Sequence, residues 1–108
     1  MGDVVVVLTT VPAGSKGEEI GRTLVEERLA ACVNVLAPMT SIYRWRGAVE
    51  HESEQQMIIK TTRNRVPALQ ARLAALHPYE LPEFLVLAVA DRSASYFKWV
   101  VDATGEDK

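Results

Sequence analysis

One cysteine, two histidines and 6% aromatic residues leave this 108-residue chain short of the side chains that chemistry usually recruits. The single thiol, Cys32, cannot close an internal disulfide, so no cystine framework holds the fold, and a reducing compartment is expected. No CxxC or HExxH spacing occurs, and a closed structural zinc site needs more nitrogen and sulfur donors than Cys32, His51 and His77 supply. A nucleophile elbow, a phosphate loop and a dinucleotide fingerprint are also missing, so no enzyme is expected. Twelve Lys plus Arg against fourteen Asp plus Glu give a net charge of −2, without the basic excess of a nucleic-acid partner. No apolar run approaches the roughly 20 residues of a membrane span. Met1-Gly2-Asp3 lacks a basic leader region, and Val6 stands where a myristoylation signal wants Ser or Thr. No Pro/Gly/Ser-rich linker or repeat interrupts the chain. These absences together predict a cytoplasmic protein with no nucleic-acid or membrane partner.

What is present is a core. Apolar residues make up 48% of the chain and charged ones 24%, a globular balance, and the length fits one domain, residues 1–108. Asp3 to Thr10 is a β-branched run without alternation, which predicts a strand covered on both faces and central in its sheet. Val11-Pro12-Ala13-Gly14 breaks it, and Ser15 followed by Glu18 reads as a capping box opening a helix that runs to about Ala30. Cys32–Leu36 and Thr40–Trp45 read as strand, Arg46-Gly47 as a turn, and Ala48–Thr62 as the returning strand. Taken as one bent strand, Cys32 to Arg46 would extend about 45–50 Å, beyond the reach of a domain with a radius of gyration near 13 Å. An isolated two-stranded ribbon is marginal in water, so a second copy of the chain is expected to cover it.

Val66, Leu69, Leu73 and Leu76 form the clearest apolar stripe, with Pro67 in the first turn of its helix and His77-Pro78 ending it. Phe84–Val89 reads as another unbroken, central strand. A last helix opens at Ser93, carries Tyr96, Trp99, Val100 and Ala103 on one face and closes at Gly105, leaving Thr104–Lys108 as a frayed tail. The order β-α-β-β-α-β plus a C-terminal helix predicts an α+β, ferredoxin-like fold with helices on one sheet face and the other face needing cover.

The residues alone offer few sites. His77-Pro78-Tyr79-Glu80-Leu81-Pro82-Glu83 is a proline-stiffened loop carrying imidazole, phenol and carboxylates, readable either as a binding loop or as a rigid connector. Tyr43 and Trp45, at alternate strand positions, read as packing between copies. Glu50-His51-Glu52-Ser53-Glu54 reads as a solvated strand surface ahead of a cation site, and Cys32 as a small buried hydrophobe ahead of a nucleophile or ligand.

Several segments, however, together resemble the CutA divalent-cation tolerance family: Val7-Leu8-Thr9-Thr10-Val11-Pro12, Glu27 to Val35, Ser41-Ile42-Tyr43-Arg44-Trp45-Arg46-Gly47, Met57 to Thr62, and His77 to Glu83. The resemblance implies a homotrimer of ferredoxin-like protomers with long hairpins wrapping adjacent subunits, similar in architecture to PII signal-transduction proteins. It implies a link to divalent cations, Cu²⁺ above all, and an inter-subunit cleft lined by Tyr43, Trp45, Lys60, His77, Tyr79 and Glu83. Some members are assigned copper ligands at a first-strand cysteine and at two adjacent histidines. Here those positions are Thr9 and Leu76-His77, leaving His77 as the expected metal ligand. Two further readings stand beside it. One is a PII-like sensor holding a small anionic molecule, with Lys60 and His77 supplying charge and donors and Tyr43, Trp45 and Tyr79 the walls. The other is a non-catalytic scaffold.

Overall fold

The structure, a computed structural model, describes residues 3–105. The predicted tail beyond Gly105 and the first two residues lie outside it. β1 (Val4–Pro12) runs antiparallel between β4 (Ala48–Thr62) and β5 (Leu85–Ala88), and β2 (Cys32–Val35) lies across β4, giving the sheet order β2-β4-β1-β5. α1 (Lys16–Glu26) and α2 (Val66–Leu76) both lie on one face of this sheet, and a short 3-10 turn, Arg63–Arg65, leads into α2. The topology is the split βαβ arrangement of ferredoxin-like folds.

The register explains which face each side chain takes. Val5, Val7, Thr9 and Val11 of β1 stand opposite Thr61, Ile59, Met57 and Gln55 of β4. Most of this set is buried under Ile20 and Leu24 of α1 and Leu69 and Leu73 of α2, the core of the molecule. Each such aliphatic side chain contributes about 1.5–3 kcal/mol by leaving water. α1 sits unusually close to the sheet because of two glycines: a Cβ on Gly17 would meet Val35 Cγ1 at 3.0 Å, and one on Gly21 would meet Val33 Cγ1 at 3.1 Å. The intervening positions, Val4, Val6, Leu8 and Thr10, point to the opposite face together with Ile58, Lys60, Leu85 and Leu87. α3 (Ala94–Thr104) covers only one end of that face, packing Val100 with Val4 and Ala31, beside Phe97 and Val89.

Beyond Glu54 the first half of β4 leaves the sheet with β3 (Met39–Trp45) as a two-stranded arm, Met39 opposite Glu54 and Trp45 opposite Ala48. The molecule is accordingly elongated, 47 × 27 × 23 Å. The two strand segments expected from the sequence are separate, interrupted at 36–38 around Pro38, rather than one bent strand, and β4 is continuous over 15 residues.

Several expectations need correction. Strand β5 is an edge strand rather than a central one, and Leu85 and Leu87 are 52% and 45% exposed. Strand β1 is central, but only its helix-facing positions are buried throughout; Val6, Leu8 and Thr10 are half-buried. The capping box does not form: Ser15 Oγ donates to Glu19 Oε2 instead, at 3.0 Å. α1 stops at Glu26, not Ala30, because Arg28 turns to a positive φ of 62° and sends the Leu29 N–H and Ala30 N–H back to the Leu24 carbonyl. No Gly or Asn marks that stop. On α3, Val100 is buried and Ala103 packs beside it, while Tyr96 and Trp99 stay exposed, their rings 5.5 Å apart. Ser93 caps α3 as expected, accepting from the Tyr96 N–H at 3.2 Å. Gly105 ends it at φ −75°, a conformation open to any residue.

Candidate functional site

The loop from His77 to Phe84 lies where the arm leaves the sheet; three of its side chains fasten it there and a fourth binds the tip of the arm. His77 is 8% exposed. Its Nε2 is 2.7 Å from the Thr10 carbonyl oxygen, and its Nδ1 is 3.1 Å from the Tyr79 N–H. A carbonyl only accepts and an amide N–H only donates, so the proton sits on Nε2 and the Nδ1 lone pair faces Tyr79. Both ring nitrogens are therefore occupied within the chain. The residue expected to hold a metal joins β1 to the loop in this structure. The Tyr79 hydroxyl donates to Glu54 Oε2 at 2.6 Å, and Gln56 Nε2 donates to Glu83 Oε2 at 2.9 Å and to the Thr9 carbonyl at 2.8 Å. Glu80 binds Arg46 at the tip of the arm.

Glu54, read from the sequence as solvated, is only 7% exposed. A hydrogen bond to a buried charge contributes about 1.5–3 kcal/mol, and the Tyr79 phenol supplies it. Burial of the Tyr79 ring, then the Glu54 hydrogen bond and the charges of Glu54 and Glu52, hold that phenol protonated well above its ordinary range. Partial desolvation, followed by Glu52, Glu54 and Glu50, also raises the phenol of Tyr43. The two tyrosines thus share one acidic environment.

The structure brings His77, Tyr79 and Glu83 together with Thr10, Glu54 and Gln56, and places Tyr43 alongside. Trp45 stands apart, half-buried at the tip with the Arg46 guanidinium 5.2 Å over its ring. Lys60 stands apart too, four residues from Gln56 along β4, about 13 Å at the rise of a strand. Its ammonium binds Asn34 Oδ1, opposite the half-buried Cys32. A groove of about 340 Å³ runs between α1 and β2, lined by Gly21, Val25, Val33 and Val35 among others, and includes none of these residues. Gln56 escaped the sequence reading and the burial of Glu54 was not foreseen in it, although their even spacing with Glu50 and Glu52 puts all four on the face that Tyr43 shares. Among the described residues no group of three or more His, Cys, Asp or Glu side chains is arranged around a point that could hold one metal ion. No helix among them is long and apolar enough to cross a membrane.

Thr9 Oγ1 is the buried side-chain oxygen without a partner among the described residues. It faces the helices opposite Met57. Replacing it by the isosteric Thr9→Val is expected to raise stability by about 1 kcal/mol, since an orphaned hydroxyl is penalised and a methyl is not. A higher midpoint of urea unfolding with an unchanged slope would show it.

Comparison with known proteins agrees with this architecture. A sequence profile described as CutA1 divalent ion tolerance protein matches residues 5–103. The chain is 46% identical over 100 residues to the divalent-cation tolerance protein CutA of Thermus thermophilus, covering 93% of this chain and 97% of that one.

The chain belongs to the CutA1 family.

Human protein CutA is 43% identical over 103 residues, but those residues make up 95% of this chain and only 58% of the human one. Among solved structures, Thermus thermophilus CutA1 superposes with a TM-score of 0.91 at 45% identity, covering 94% of this chain and 99% of that one. CutA1 from Oryza sativa gives 0.93 at 33% identity, covering 98% and 97%. The CutA1 fold thus stands at high similarity, while His77, the ligand carried over from the family resemblance, has its ring taken up by Thr10 and Tyr79.

Proposed function

We propose that the chain acts in divalent-cation tolerance as a non-catalytic, cytoplasmic homotrimer that holds the ion on the carboxylate face of its arms. The observation that carries this reading is the charge of that face. Glu50, Glu52 and Glu54 occupy alternate positions of β4, and the residues opposite them on β3 are Tyr43, Ser41 and Met39, none of them cationic. Glu83 adds a fourth carboxylate, tethered by Gln56. Such a surface selects a cation and repels an anion, which weighs against a small anionic ligand beside Tyr43 and Tyr79. Carboxylates accept many divalent ions, and at any one set of such donors Cu²⁺ binds most strongly of the common first-row ions. Among the described residues no three donors converge within one chain, so the ion would be shared between copies, each giving one or two oxygens. The exposed leucines of β5 and the projecting arms support such an assembly.

Titration calorimetry with Cu²⁺ on wild type and on the Glu50→Gln/Glu52→Gln variant tests the reading. Heat in the wild type that disappears in the variant is the expected result. A wild type that gives no heat with Cu²⁺ would overturn it. Thermal stabilisation by a small anion but not by metal would point to the PII-like reading, centred on Lys60 rather than on the acidic face.

A further inference from the structure

The tip of the arm carries a residue that local conformational preference argues against. Arg46 and Gly47 join β3 to β4, both at positive φ, 50° and 83°. A two-residue turn of type I′ requires this, and Asn or Gly is the usual first residue, because Cβ crowds the backbone carbonyl there and Asn offsets the strain with a local hydrogen bond. Arg46 is nonetheless the residue present, and its guanidinium reaches past the turn. Nη2 donates to both oxygens of Glu80, at 3.0 and 3.2 Å, and the group lies over Trp45. Glu80 stands between Pro78 and Pro82, in the loop that His77, Tyr79 and Glu83 already fasten to the base of the arm. Among the described residues, this pair is the one side-chain hydrogen bond that joins residues 40–52 to another part of the chain. A strained residue at such a place points to a contact the strain maintains.

We propose that Arg46 and Glu80 form a salt-sensitive latch, which ties the tip of the arm to the 77–84 loop and sets the direction in which the arm projects. The loop is rigid, being held by two prolines and three buried or half-buried side chains. The turn is rigid, being only two residues long. Between them the twin hydrogen bonds restrict the swing that a two-stranded ribbon otherwise has. Both side chains are well exposed, at 68% and 73%, so dissolved ions compete for the pair directly.

Amide hydrogen exchange on the intact protein, in whatever assembly it forms, reads the latch. Glu80→Gln is expected to speed exchange of the amides across 42–50 about fivefold, the upper reach of an exposed ion pair, while those of 57–62 stay as they were. Salt near 1 M, where screening acts within about 3 Å, should bring the same acceleration to wild type and add nothing to the variant. Arg46→Asn separates the latch from the turn, because asparagine suits the backbone better but cannot reach Glu80. Faster exchange across 42–50 in this variant supports the latch. Slower exchange there, or unchanged exchange in Glu80→Gln, would overturn it.

Discussion

His77→Ala is expected to lower the free energy of unfolding by about 3 kcal/mol while leaving any heat of Cu²⁺ binding unchanged. The imidazole is nearly buried, so its removal opens a cavity between β1 and the 77–84 loop. It also strands the Thr10 carbonyl and the Tyr79 N–H, which lose partners at 2.7 and 3.1 Å. Tyr79 would then be less well placed for its 2.6 Å bond to Glu54, so part of the damage is carried to the base of the arm. Denaturant unfolding at matched protein concentration measures the first half of the prediction, concentration being held because assembly adds to apparent stability. Calorimetry measures the second. A variant that keeps its stability but loses the metal heat would return His77 to the role of ligand.

Leu87→Asp is expected to yield folded single chains from the proposed homotrimer. Leu87 stands opposite Val6 on the sheet face that α3 covers only at one end, with Leu85 opposite Leu8 two residues away. In an isolated chain the substitution places a carboxylate on a side chain that is nearly half exposed, which is tolerable. In an interface the same carboxylate must lose its water without a partner, at several kcal/mol for each copy. The penalty falls on every interface of a symmetric assembly, so the shift in mass should be complete rather than partial. Sedimentation together with circular dichroism distinguishes dissociation from unfolding. An unchanged mass would place the contact between copies elsewhere than on β5.

Much of this architecture was legible because local signals and tertiary packing agreed. β4 begins after Arg46-Gly47 and ends at Thr62, as the turn residues and apolar alternation indicated. α2 buries Leu69 and Leu73, with Val66 and Leu76 packed at the margin of the core, as their spacing required, and His77-Pro78 ends it. The errors lie where a partner distant in sequence decides the outcome. Leu85 and Leu87 read as core because apolarity does not say whether the covering surface belongs to the same chain. Glu54 read as solvent-facing because its partner Tyr79 is 25 residues away. α1 overran because Arg28 gives no sign of a left-handed turn, which is stabilised by burying Leu29 and Ala30.

The sequence by itself determined the class of fold, the order of its elements and, through short runs such as His77 to Glu83, the family. Periodicity, turn residues and capping act over a few residues, and they are written in the chain directly. Tertiary structure alone decided that His77 spends both nitrogens on the backbone, that Trp45 and Lys60 lie beyond the two ends of the acidic row, and that Arg46 reaches Glu80. The long-range contacts behind these, Lys60 with Asn34, Arg46 with Glu80 and His77 with Thr10, span 26, 34 and 67 positions. Hydrogen bonds and charges act over a few ångströms of space, and only the folded chain says which atoms share that space.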